Sequence, residues 1–137
     1  MVKLETIQGV HQAHADLLRE MCAINSVAAL LKAGATPEGR ESLAAALNVP
    51  PAVVLDWVHQ ADMSRVKGVG RGYLSLLNAL GIRTLAQLRQ QVAENLYARM
   101  CECNKNHRLV RRSPTLEMVS DWIEQAGELT PTVSEQT

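Results

Sequence analysis

Apolar residues recur along this chain at helical spacing, and the residues that interrupt them are helix starts and stops. Val2 to Thr6 predicts a short first helix that runs into a turn at Gly9. From Gln12 to Met21, Ala13, Leu17, Leu18 and Met21 fall on one side of a second helix. Asn25 or Ser26 caps the next, which Gly34 ends. Thr36-Pro37-Glu38 combines a capping hydroxyl, a proline suited to the first helical position and an acid in the first turn. That helix stops near Asn48. Pro50-Pro51 then opens the helix of Val53, Val54, Trp57 and Val58.

After Gly70, the stripe Tyr73, Leu74, Leu77 and Leu80 is closed by Gly81. Thr84 and Gln87 have the spacing of a capping box. Leu96 and Met100, with Val92 at the edge, carry another helical stretch, and the polar segment Asn104 to Arg112 is expected to break it. Ser113-Pro114 restarts a helix whose Met118, Trp122 and Ile123 face inward as far as Gly127. Residues 127–137 offer little to bury and predict a disordered tail. No segment alternates with period two. The predicted fold is all-α, one helical domain over 1–126.

The pattern is also written twice. Ile7-Gln8-Gly9-Val10-His11 is matched by Val66-Lys67-Gly68-Val69-Gly70, and Leu17-Leu18 by Leu76-Leu77. Ala23 to Leu30 lies over Gly81 to Leu88, and Asp56-Trp57-Val58-His59-Gln60-Ala61 recurs as Asp121-Trp122-Ile123-Glu124-Gln125-Ala126. Two repeats, about 1–61 and 62–126, follow, each with an apolar face for its neighbour to cover.

Composition narrows what such a bundle can be. The hydrophobic fraction is 47% with 3% aromatic residues and no Phe, so Leu, Val, Ala and Ile build the core around Trp57 and Trp122. So few aromatics argue against a base-stacking platform. Fourteen basic residues balance fourteen acidic ones, which leaves attraction for DNA or anionic lipid to local patches. Cys22, Cys101 and Cys103 make an odd count, unlike a disulfide framework, and point to a reducing compartment. No signal-peptide core or membrane span is legible, and a cytoplasmic location is expected.

Hydrophobic-Gly-hydrophobic-Gly between two helices is the signature of a helix-hairpin-helix turn. Its glycines allow backbone N–H groups to approach an anion, and the next helix adds partial positive charge. Here Gly68, Val69 and Gly70 form the turn among Arg65, Lys67 and Arg71, with no acid closer than Asp62. A cation-ringed turn of this kind suits sequence-independent contact with a phosphate backbone. The plainer reading is a tight helix–helix corner. In the first copy His11 replaces the second glycine and Lys3 is the nearest preceding cation, so that turn reads as mainly structural. A second cluster, Lys105, His107, Arg108, Arg111 and Arg112, has no acid among residues 104–114. It reads either as a solvated loop or as further phosphate contacts or a dock for an acidic partner.

Metal and catalytic chemistry are not expected. Cys101, Cys103 and His107 could offer three soft ligands where a closed zinc site wants four, and the two thiols diverge on a regular helix. His11 and His14 lack a clear third ligand and read as polar surface. Cys22 is placed at the helix end that Gly81 occupies in the other copy. Asp56 and Asp121 read as surface or capping residues beside core tryptophans. There is no nucleophile with an ordered base, no carboxylate pair and no phosphate loop ending in Lys-Ser or Lys-Thr.

Three stretches together resemble the domain of unknown function 4332 family, over Leu4 to about Leu129. They are Arg65 to Gly70, Leu31 to Arg40, and Leu109 to Pro114 leading to Asp121–Ala126. The resemblance implies tandem helix-hairpin-helix units and leaves the activity open; nucleic-acid binding comes from the wider class by analogy. Members often carry Gly-hydrophobic-Gly at the first hairpin as well, where this chain has Gly9-Val10-His11. The expected function is a non-catalytic module without cofactor that grips nucleic-acid backbone. Its rival is a protein-interaction adaptor on the same scaffold.

Overall fold

Side-chain caps set most helix boundaries in the computed structural model, which describes Leu4, Val10 and residues 12–130. Helices α1 (Gln12–Cys22), α2 (Val27–Ala33), α3 (Pro37–Leu47) and α4 (Pro51–Met63) come first. They are followed by α5 (Arg71–Ala79), α6 (Leu85–Arg89), α7 (Ala93–His107) and α8 (Leu116–Glu128). No strand occurs among the described residues; the fold is all-helical. No helix of the described residues is long and apolar enough to cross a membrane. Of the predicted helix over Val2–Thr6 only Leu4 is described, and Gly9, His11 and residues 131–137 of the predicted tail lie outside the described residues.

Ser26, Thr36 and Thr84 each accept a hydrogen bond from the N–H three residues on, satisfying a donor that the first helical turn leaves open. At Thr84 the capping box is complete, because Gln87 Oε1 accepts from the Thr84 N–H at 3.2 Å. Asn48 ends α3 in the left-handed conformation at φ 56°.

The chain divides into two compact units at the end of α4, between Asp62 and Met63. In the first, Leu18, Leu30, Val54, Trp57, Val58 and Ala61 are buried together with Leu4. In the second, α8 packs on α6 and α7 and closes a core of Leu74, Leu77, Leu88, Leu96, Met100 and Trp122. Truncating either tryptophan to alanine would cost about 3–5 kcal/mol.

Corresponding residues take corresponding places. Ring centroids of His14 and Trp57 lie 5.1 Å apart at a 50° tilt, and Tyr73 and Trp122 repeat both values. The Ile24 N–H closes α1 on the Leu18 carbonyl at 2.9 Å, as the Ile82 N–H closes α5 on the Leu77 carbonyl at 2.9 Å. The residue before each isoleucine is left-handed: Ala23 at φ 56°, Gly81 at φ 83°. Cys22, expected at that position, is instead the last residue of α1 and half-buried.

Several expected details are corrected. The inward stripe of α1 is Ala15 and Leu18 with His14 and Leu17 beside them, whereas Ala13 and Met21 are exposed. The helix is rotated because His14 stacks on Trp57, so His14 is not surface. Asn104 to His107 does not break α7 but completes it; the buried Asn104 is needed inside, and Arg108 ends the helix at φ 49°. Thr115, not Ser113-Pro114, starts α8 by accepting the Met118 N–H at 3.1 Å. That helix continues through Glu128, past Gly127, and Leu129 packs on the core. Val92 precedes α7 and is exposed.

Candidate functional site

The turn between α4 and α5 is held from below by two buried valines, Val66 and Val69. The Val66 N–H donates to Met63 and the Val69 N–H to Val66, which folds the chain tightly. Two glycines then play different parts. Gly68 is left-handed at φ +93°, which favours glycine, and a Cβ there would also crowd Trp122 Nε1 at 3.2 Å. Gly70 is extended at φ −88° and N-caps α5, and a Cβ there would meet nothing within 4 Å. Neither angle nor packing within the described chain requires glycine at 70. Its open face adjoins the N–H groups of Arg71, Gly72 and Tyr73, which by helix geometry have no intrahelical acceptor.

Lys67 is fixed through its backbone. Its N–H donates to Gln125 Oε1 at 2.8 Å and its carbonyl accepts from Gln125 Nε2 at 3.1 Å. Gln125 Nε2 also donates to Asp121 Oδ2 at 2.8 Å, which orients the amide. The Lys67 side chain is left exposed, as is that of Arg71. Arg65 is half-buried and donates to the Thr130 carbonyl at 2.8 Å, so it braces the end of α8. Of the expected turn residues, Gly68, Gly70, Lys67 and Arg71 face solvent, while the Val69 side chain is 7% exposed and serves the core.

The loop that bears most of the second basic cluster docks on α5. Asn104 Oδ1 accepts the Val110 N–H at 2.9 Å and Asn104 Nδ2 donates to Ser113 Oγ at 3.0 Å, pinning the loop that follows α7. The Tyr73 hydroxyl donates to the Arg112 carbonyl at 3.1 Å. Gly72 lets the loop come close, because a Cβ there would run into the Val110 side chain. Arg108, Arg111 and Arg112 are thus carried by a loop docked on the first turn of α5, one residue past Gly70 and Arg71. All three are exposed, as is Lys105 on the last turn of α7. Among the described residues, no carboxylate pairs with Lys67, Arg71, Arg108, Arg111 or Arg112.

Charge is unevenly divided between the units. Residues 63–130 hold ten Lys and Arg against six Asp and Glu, and the rest of the chain holds four against eight. The neutral total therefore conceals a cationic second unit. The sequence reading missed Gln125, Gly72 and Tyr73; the recurrence of Gln60 as Gln125 was the available signal for the first. Cys103 is buried and Cys101 half-buried on different faces of α7. A hydrogen bond with Cys101, reinforced by that thiol's charge and by slight burial, holds the Tyr97 phenol above its ordinary pKa of 10.0. No set of three or more His, Cys, Asp or Glu among the described residues could hold a metal ion.

No solved structure matches the chain. The family model described as Domain of unknown function (DUF4332) matches residues 8–129, nearly the whole length. The chain belongs to that family.

Proposed function

We propose that this protein is a non-catalytic binding module of two tandem helix-hairpin-helix repeats, and that the second repeat contacts the phosphate backbone of nucleic acid without sequence specificity. The observation that carries the reading is the docking of the basic loop on the first turn of α5, the helix that Gly70 caps and beside which Lys67 and Arg71 stand exposed. Beyond its place as the cap of α5, neither a positive φ nor close packing demands glycine at 70, and its missing Cβ leaves room for an anion to reach the amides of α5. Lys67, Arg71, Arg108, Arg111 and Arg112 supply the counter-charge, with Lys105 and Arg65 further out. The matched His14–Trp57 and Tyr73–Trp122 pairs support the repeat. Phosphate contacts give register and affinity but no base readout, hence the lack of sequence preference.

The test is Lys67→Glu combined with Gly70→Glu, which places carboxylates at the phosphate position while leaving the core untouched. Duplex binding by fluorescence anisotropy should disappear with the circular dichroism spectrum unchanged; equal affinity in the variant overturns the reading.

A second reading, a protein-interaction adaptor on the same scaffold, is favoured by His11 standing where the first hairpin's second glycine would be. Under it, Lys67→Glu with Gly70→Glu has no nucleic-acid affinity to remove, and wild type shows none even at low salt.

A further inference from the structure

Four of the six carboxylates in residues 63–130 line one open groove between the starts of α7 and α8. Its volume is about 350 Å³, and Glu94, Glu117, Asp121 and Glu124 surround Ala93 and Leu116. Leu116 is 40% exposed, and the neighbouring Val92 at the head of α7 is 57% exposed. The groove thus offers an apolar floor with an acidic rim. Among the described residues, Glu94, Glu117 and Glu124 form no ion pair.

The complementary shape and charge occur on the same unit. Leu109, 42% exposed, stands on the loop between Arg108 and the pair Arg111 and Arg112. This is an apolar knob in a cationic collar, and no carboxylate of the described chain neutralises it. Only residues 113–115 separate the loop from Leu116, yet the arginines do not reach over to the acids beside them. Among the described residues neither surface has an ion-pair partner.

We propose that the occupant of the groove is a second copy of this chain, with the Arg108–Arg112 loop of each copy seated in the groove of the other. Because loop and groove adjoin at the start of α8, a two-fold axis between them makes the same contact twice and closes the assembly. Leu109 covers Leu116 and Val92, and the arginines meet Glu117 and Glu124. Opposed charges at a partly exposed interface make the association salt-sensitive. Arg108, Arg111 and Arg112 are also the loop cations of the nucleic-acid reading, so dimer and duplex would compete for them; self-association is tested without nucleic acid.

Sedimentation of the full chain at low salt should show a concentration-dependent dimer that dissociates as salt is raised. Arg111→Glu with Arg112→Glu, and separately Glu117→Arg with Glu124→Arg, should each weaken self-association by about tenfold or more. Mixing the two charge-reversed proteins should restore a dimer, because each repels itself and attracts the other. Circular dichroism checks the fold; should a reversal unfold the protein, the neutral Arg111→Gln/Arg112→Gln and Glu117→Gln/Glu124→Gln pairs replace it, each weakening the dimer. A monomer at the highest concentration and lowest salt overturns the proposal. So does a dimer indifferent to these substitutions, or a mixture of folded reversed variants that stays monomeric.

Discussion

Gln125 holds both backbone groups of Lys67, accepting its N–H at 2.8 Å and donating to its carbonyl at 3.1 Å, across 58 residues of chain. A single side chain thereby sets the position of the turn that exposes the Lys67 ammonium group. Gln125→Ala removes both bonds at a half-exposed site and should lower stability by about 1–2 kcal/mol. It should also weaken duplex binding with the net charge unaltered. Gln125→Glu keeps an acceptor for the Lys67 N–H, loses the donor to its carbonyl, and sets a second carboxylate beside Asp121. It should bind more weakly than Gln125→Ala, as anisotropy titrations of the two would show.

The two glycines of the turn separate folding from binding. Gly68→Ala forces a Cβ into a left-handed backbone next to Trp122, and should cost about 1–2 kcal/mol in urea unfolding. Gly70→Ala needs neither a strained angle nor extra room and exchanges only a favoured cap for a poor one, so its stability should fall by no more than about 1 kcal/mol. Its duplex affinity should nevertheless fall if phosphate approaches at Gly70 as proposed, because the added methyl would stand in the way. Normal affinity in Gly70→Ala would mean that this glycine is only a helix cap.

Tyr73 ties the basic loop to α5 through the Arg112 carbonyl. Tyr73→Phe keeps the ring against Trp122 and deletes that one bond. The expected loss is about 0.5–1.5 kcal/mol of stability. Hydrogen exchange should quicken at residues 108–113 and little elsewhere; uniform quickening would contradict a local tether.

Ala23 adopts the left-handed conformation that Gly81 adopts at the corresponding helix end. Ala23→Gly should therefore stabilise the protein by about 1 kcal/mol, offset in part by a more flexible unfolded chain. A chemical-denaturation midpoint that does not rise would show that strain at Ala23 is already relieved.

What could be read from residue order follows from what is local. Ser26, Thr36 and Thr84 cap helices through bonds to residues three positions on, and such spacing is visible in any sequence. The all-helical fold and the turn at Gly68 were legible for the same reason. The rotation of α1 was not, because the position of Trp57 across the core decides which face His14 belongs to. Asn104 and Arg112 looked like one solvated stretch. Burial of the Asn104 amide and the Tyr73 bond, both set by tertiary packing, make the segment an ordered loop instead. The Gln125 clamp leaves no local trace beyond the repetition of Gln60.

If the face around Gly70 grips phosphate, duplex binding must weaken steeply as salt is raised. Titrating a labelled duplex at several salt concentrations should give a line of log affinity against log salt with a slope of about −3.5 to −5.5, the signature of about four to six neutralised phosphates. An absence of binding at low salt, or binding that ignores salt, would contradict the account.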